Sequence, residues 1–126
     1  MSEKFCFCGS QKNFSSCCEL YIKGTEKAPT ATVLMRSRYS AYATQEIDYL
    51  IKTTHISTRK NHEKSDISEW SKSNTWLRLE ILQASENTVE FKAYYLDQSL
   101  QAIVHHEKSA FKFENGSWFY VDGIFY

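Results

Sequence analysis

The chain has a single proline and only four glycines in 126 residues, and no excess charge, with 15 basic residues against 15 acidic ones. Glycines so few and so scattered leave no phosphate-cradling loop of the nucleotide-binding kind. Balanced charge removes the attraction on which non-specific nucleic-acid binding rests, so free nucleic acid is not an expected partner. No apolar run reaches the length that spans a bilayer. The opening residues Met-Ser-Glu-Lys-Phe-Cys also lack the apolar stretch of a secretory signal. No membrane partner is expected, and a cytoplasmic location with reduced thiols is. There is no glycine-flanked serine elbow for nucleophilic catalysis. An enzyme is therefore the less expected class.

What the chain has in quantity is aromatic. Eight Tyr, eight Phe and three Trp sit within a hydrophobic fraction of 42 %. That supply predicts a folded core rather than disorder, and the length allows one domain with a small appendage.

All four cysteines fall near the N-terminus, as Cys6-Phe7-Cys8 and then Cys17-Cys18. Adjacent cysteines bridge each other only with strain, and a reducing compartment opposes disulfides. Tetrahedral coordination explains both the number and the clustering, so one structural zinc ion on Cys6, Cys8, Cys17 and Cys18 is expected. Four thiolates fill the tetrahedron and leave no open position for water or substrate. The same ligands would accept iron. Gly9 and Ser10 suit a tight knuckle. A helix from an Asn13 cap to a Gly24 stop would set Phe14, Cys17, Cys18 and Tyr21 on one face. Lys4, Lys12 and Lys23 offset the charge of the centre, and with Phe5 and Phe7 they form the expected docking face.

Cys6, Cys8, Gly9, Ser10, Cys17 and Cys18 together resemble the SEC-C motif, a zinc-binding module associated with protein contacts. Phe7 stands where that motif usually has proline. The resemblance implies a protein or ribonucleoprotein partner.

Beyond the only proline, the pattern is helical from Ala31 to Ala43, with Ala31, Met35, Tyr39 and Tyr42 on one face and Arg36, Ser37 and Ser40 elsewhere. A shorter helix covers about Gln45 to Thr53. The polar stretch 56–73 reads as loop, with one helical turn from Asp66 to Trp70. After Asn74 the period becomes two: Leu77, Leu79 and Ile81, then Val89, Phe91, Ala93 and Tyr95, point inward. A long strand runs from about Gln101 to Phe113, and a last one from Trp118 to Asp122. Helices followed by an antiparallel meander predict an α+β layout.

Leu34 to Tyr42, Asp48-Tyr49-Leu50, His106-Glu107-Lys108-Ser109 and Trp118 to Gly123 resemble the YchJ family. The resemblance implies a knuckle over residues 1–24, a linker at 25–30 and a nuclear-transport-factor-2-like cone over 31–126. Some relatives carry a second cysteine module at the C-terminus. This chain ends at Tyr126 without one, so a single knuckle is expected.

Cones of this type often enclose a pocket, and the long strand marks where one would lie. His105, Glu107, Ser109, Phe111 and Phe113 share a face, and an inward carboxylate must be paired, hydrogen-bonded or protonated. Arg36 or Arg38, and Asp122, are its expected neighbours. Arg36, Tyr39, Tyr42, Glu107, Ser109 and Asp122 are thus the candidate pocket for a small ligand or weak acid–base chemistry. On the plainer reading, Glu107 pairs with an arginine and ties helix to sheet, and a bulge resets the register. His55 and His62 lie in expected loops and carry no argument.

Overall fold

The computed structural model describes residues 5–60 and 62–126. A bridge between Phe5 and Asn13 and a 3₁₀ turn, Phe14–Ser16, open the chain. The helices are α1 (Cys18–Ile22), α2 (Ala31–Thr44), α3 (Ile47–Lys52), α4 (Ile56–Arg59) and α5 (Lys64–Ser73). The strands are β1 (Thr75–Ala84), β2 (Thr88–Leu96), β3 (Ala102–Glu114) and β4 (Ser117–Phe125). They form one antiparallel sheet in the order β1-β2-β3-β4, so the fold is α+β as the pattern predicts. Among the described residues no helix is long and apolar enough to cross a membrane.

The α2 helix starts where the Thr30 hydroxyl accepts from the Val33 N–H and stops at Gln45, which turns left-handed. Leu34, Met35 and Tyr39 of this helix pack with Val89, Phe91 and Ala93 of β2 and with Phe111 and Tyr120. Leu34, Leu50 and Val89 are fully buried, each contributing about 1.5–3 kcal/mol. The helix is buried on more than the one expected face, since Ser37 and Ser40 are also enclosed. Their face is covered by α3 and the knuckle: Ser37 Oγ lies 2.7 Å from the Tyr49 hydroxyl, and Ser40 Oγ lies 3.4 Å from Cys6 Sγ.

Four expectations are corrected. The stretch 56–73 holds two helices rather than mostly loop, because Ile67, Trp70 and Ser71 anchor α5 on the core side. Ser71 Oγ donates to the Tyr42 carbonyl and the Trp76 indole donates to the Ser71 carbonyl. The Asn13–Gly24 helix is broken at Cys17, which has φ −128° and ψ −112°, and Asn13 makes no side-chain cap. A regular helix would turn neighbouring side chains about 100° apart, so the break lets two adjacent sulfurs face one centre. In β1 the register shifts around Leu77 and Leu82, so Leu77 is exposed while Trp76 and Leu79 turn inward. At the end of β3, Phe113 is exposed against the edge of Trp118 rather than in the core.

Candidate functional site

The first cluster is the cysteine centre. The Sγ atoms of Cys6, Cys8, Cys17 and Cys18 all lie within 4.8 Å of one another. Positive φ at Gly9 (+84°) and Gln11 (+66°) folds the knuckle back so that the Cys6 N–H donates to the Lys12 carbonyl. Cys8 and Cys17 are 3.7 Å apart. Metal–sulfur bonds of about 2.3 Å place tetrahedral sulfurs about 3.8 Å apart, so the spacing fits a four-thiolate metal centre. Hydrogen bonds from the Cys18 and Cys6 thiols pull Cys8 well below the ordinary thiol range. Bonds to Cys6 and Cys8 push Cys18 up, and burial pushes Cys17 up. Four thiols this close cannot all ionise unless a cation sits among them.

The knuckle is fastened to the cone. Arg36 Nη1 donates to the Cys8 carbonyl at 2.7 Å, and Ser40 Oγ of the same helix lies 3.4 Å from Cys6 Sγ. Ile22 packs against both the cysteine cluster and the main core. Of the expected docking face, Lys4 lies outside the described residues. Phe5 and Phe7 flank Cys6 and are exposed, with Phe7 edge-on to Phe14. Lys12 is exposed in the same turn, whereas Lys23 closes α1 and pairs with Glu19 at 3.6 Å.

The second site lies between α2 and the sheet, where a cavity of about 240 Å³ opens beside Glu107. Its walls are largely aromatic: Tyr42, Trp70, Trp76, Phe91 and Phe125. Trp70 and Trp76 meet edge to face with centroids 5.0 Å apart. Glu107 is buried, and both its oxygens are engaged. Ser109 Oγ and the Tyr120 hydroxyl donate to Oε2 at 2.6 and 2.9 Å, and His105 Nε2 lies 2.7 Å from Oε1. Burial alone would raise this carboxyl, but the three hydrogen bonds outweigh it and hold Glu107 below the usual carboxylate range. Tyr120 is pushed up by burial and by the Glu107 charge, so it stays a donor.

Tyr120 is itself fixed from both sides. Its N–H donates to the Thr53 carbonyl at 2.8 Å, and its carbonyl accepts from the His55 N–H at 2.7 Å. The Arg38 guanidinium lies over its ring, 4.6 Å from the centroid. Arg38 is buried, with Nη1 donating to the Leu50 carbonyl at 2.9 Å and to Thr53 Oγ1 at 2.7 Å.

Tyr39, Tyr42, Glu107 and Ser109 all line this cavity. Arg36 and Asp122 do not. Arg36 faces the knuckle, and Arg38, two residues on and so about 200° around the helix, takes the place at the cavity. Asp122 is exposed because β4 bulges at Val121: Tyr120 pairs with Phe111 but Asp122 pairs with Ala110, so the carboxylate turns outward and Gly123 faces Ser109. His62, expected in an uninformative loop, lines the cavity edge-on to Tyr120. Tyr120, Trp70 and Trp76 also escaped the sequence reading. The inward neighbours of Glu107 across the bulge could be found only by counting back from Gly123, which the strand needs for space.

Residues 30–123 match the family described as "YchJ, middle NTF2-like domain". The chain is 39 % identical over 125 residues to the UPF0225 protein GSU1048 of Geobacter sulfurreducens, covering 94 % of this chain and 77 % of that protein. It is 38 % identical over 126 residues to a UPF0225 protein of Vibrio cholerae, covering 95 % and 82 %. A solution structure of a SEC-C motif containing protein from Rhodopseudomonas palustris superposes with a TM-score of 0.88 at 32 % identity, covering 96 % of this chain and 98 % of that one. A crystal structure of a SEC-C motif containing protein from Psychrobacter arcticus gives 0.77 at 26 % identity, covering 97 % and 81 %.

Proposed function

The chain belongs to the YchJ family, and on that premise we propose that it is a small-molecule-binding protein whose cone is steadied by one structural zinc ion. The hollow beside Glu107 carries this reading. Side chains leave a space of about 240 Å³ between α2 and the sheet unfilled. A concave, mostly apolar hollow with a few convergent polar groups is the usual form of a small-molecule site. Polar groups converge at one end of the hollow and aromatic walls form the rest, the make-up of a binding pocket.

Binding is favoured over acid–base catalysis. A general base works best with its pKa near the working pH, and Glu107 is held the other way, ionised and hydrogen-bonded on both oxygens. Zinc on Cys6, Cys8, Cys17 and Cys18 has a supporting part: it would lock the knuckle on the face of α2 that carries Ser40 and Arg36, with all four positions filled by thiolate. A cytoplasmic setting, where thiols stay reduced, suits that centre.

The test is a small-fragment screen on zinc-loaded protein, read by NMR at the tryptophan indoles. Fragments that bind should shift Trp70 and Trp76 together and saturably, leaving Trp118 outside the cavity unmoved. A diverse screen that moves neither indole would overturn the reading.

A second reading rests on the exposed pair Phe5 and Phe7, 67 % and 39 % accessible beside a buried Cys6. Large apolar side chains held out by a rigid knuckle suit a protein or ribonucleoprotein partner, with Lys4, Lys12 and Lys23 supplying charge. Reversing those lysines should release a partner captured on the wild-type protein. Capture that survives the reversal counts against this docking face.

A further inference from the structure

Accepting the binding reading above, the pocket also indicates what kind of molecule it holds. Arg38 lines the cavity at 5 % exposure and faces no carboxylate partner among the described residues. Its Nη1 is spent on α3, where the Leu50 carbonyl and Thr53 Oγ1 fix the guanidinium plane. Among the described residues no acceptor engages Nε or Nη2. Those two atoms form one edge of the guanidinium, the fork that grips a carboxylate through two parallel bonds.

Neighbouring groups point to the same chemistry. Tyr120 carries the Arg38 guanidinium over its ring, donates its hydroxyl to Glu107 and meets His62 edge-on, and all four line the cavity with Tyr42. The Tyr42 hydroxyl has no partner among the described residues. Glu107, by contrast, already accepts three hydrogen bonds. Unused donors therefore outnumber unused acceptors, and the missing partner is an acceptor. A cation would meet Arg38 and a carboxylate that already holds three hydrogen bonds. A phosphate would bring more negative charge toward Glu107 and more oxygens than the few free donors can serve. A carboxylate brings one charge and a planar pair of oxygens. Trp70, Trp76, Phe91 and Phe125 add flat apolar surface, and Tyr39 adds a buried hydroxyl that has no partner among the described residues, one more unused donor.

We infer that the ligand is a small aromatic or otherwise flat apolar carboxylate, its oxygens on Nε and Nη2 of Arg38 and the Tyr42 hydroxyl and its apolar body between Trp70, Trp76 and Phe91. At about 240 Å³ the cavity falls below the range typical of drug-sized ligands, which limits the body to roughly a single ring.

The experiment is calorimetric titration of the full, zinc-loaded chain with three probes. Benzoate has ring and carboxylate, benzyl alcohol keeps the ring with a neutral hydroxyl in place of the carboxylate, and inorganic phosphate has charge without the ring. Benzoate should bind saturably, one per chain, and about ten- to a hundredfold more tightly than benzyl alcohol, the range for hydrogen bonds to a charged group. Phosphate should give no saturable heat. Arg38→Lys should erase most of the preference for benzoate. Because Arg38 also braces α3, Tyr42→Phe is the safer variant: it removes a hydroxyl that no described residue uses. It should weaken benzoate about three- to tenfold and benzyl alcohol by less, since a hydrogen bond to a neutral hydroxyl is worth less than one to a carboxylate. Equal binding of benzoate and benzyl alcohol would overturn the carboxylate assignment and leave the ligand pocket standing. Phosphate binding as tight as benzoate would overturn it in favour of a plain anion site. If neither aromatic probe binds, the aromatic-carboxylate assignment is overturned, and the fragment screen decides the pocket reading separately.

Discussion

Gly123 stands opposite Ser109 on β4 and leaves vacant the space that the Glu107 carboxylate fills: a Cβ on Gly123 would come within 2.6 Å of the Glu107 carboxyl carbon. The glycine is needed for room, since its backbone is not left-handed. The bulge at Val121 brings it there and sends Asp122 outward. Sheet register, glycine and buried acid are thus one arrangement.

Gly123→Ala should destabilise the protein by about 1–3 kcal/mol through overpacking. In a Glu107→Ala background the same change should cost less than about 0.5 kcal/mol, because the colliding carboxylate is gone. Denaturant unfolding of the four proteins in the cycle measures the coupling. Additive costs would show that the two residues do not share this space.

Acid should weaken the fold through Glu107. Its folded-state pKa lies below the unfolded value, so its contribution is complete above the ordinary carboxyl value of 4.5 and is lost as pH falls through the lower folded value. His62, lowered by burial and then by Arg38, acts in the same direction from 6.5 downward. Glu107→Gln should therefore be less stable than wild type by about 1–3 kcal/mol at neutral pH. The gap should narrow below about pH 4.5 as the wild-type carboxyl takes up its proton. Acid release of metal affects both proteins and cancels in the difference. A gap that stays constant with pH would count against an ionised Glu107.

Protein purified without added metal should contain about one equivalent of zinc, absent from a Cys17→Ser/Cys18→Ser double variant. Chelation should remove hydrogen-exchange protection from residues 5–24 and spare β2 and β3, since the main core is built mostly from Ala31 onward. Tyr21, Ile22 and Ala28 touch that core, so a lower melting temperature for the cone is expected as well. Cooperative loss of protection across the whole chain would show that knuckle and cone fold as one unit.

Arg36→Ala should weaken metal retention without touching a ligand. The guanidinium holds the Cys8 carbonyl at 2.7 Å and so orients the knuckle loop. Support of this kind around a metal site is typically worth about tenfold or more in affinity. Competition with a chromophoric chelator measures it, and an unchanged constant would make Arg36 a packing residue only.

Much of this arrangement could be read from the amino acids. The cysteine spacing led to the metal centre because four thiols in one short stretch have few other uses. Alternation placed Val89, Phe91, Ala93, Glu107 and Ser109 on the inner face, where the structure has them. What periodicity could not show were its own interruptions. The bulges at Leu77 and Val121 each reverse the facing of the residues that follow; the first has no local composition signal, and the second has only Gly123 two residues on. Arg36 and Arg38 were equivalent as sequence neighbours of an inward acid. Only the docking of the knuckle on one side of α2 and of α3 on the other separates them. Ser37 and Ser40 read as polar positions but are buried, because their hydroxyls find partners in Tyr49 and Cys6. The helices α4 and α5 are polar along much of their length and depend on tertiary contacts such as Ser71 to Tyr42.

The central claim is that the hollow in the cone is a binding space and not loose packing. Ala93 lines it from the inner face of β2, so Ala93→Leu adds volume to the cavity from a rigid strand. The most direct measurement pairs thermal unfolding of this variant with the fragment titration at the Trp70 and Trp76 indoles. A space kept open for function should be filled at no cost in stability, so the melting temperature should hold or rise while fragment binding disappears. A variant that melts earlier yet shifts with fragments as the wild type does would contradict the account.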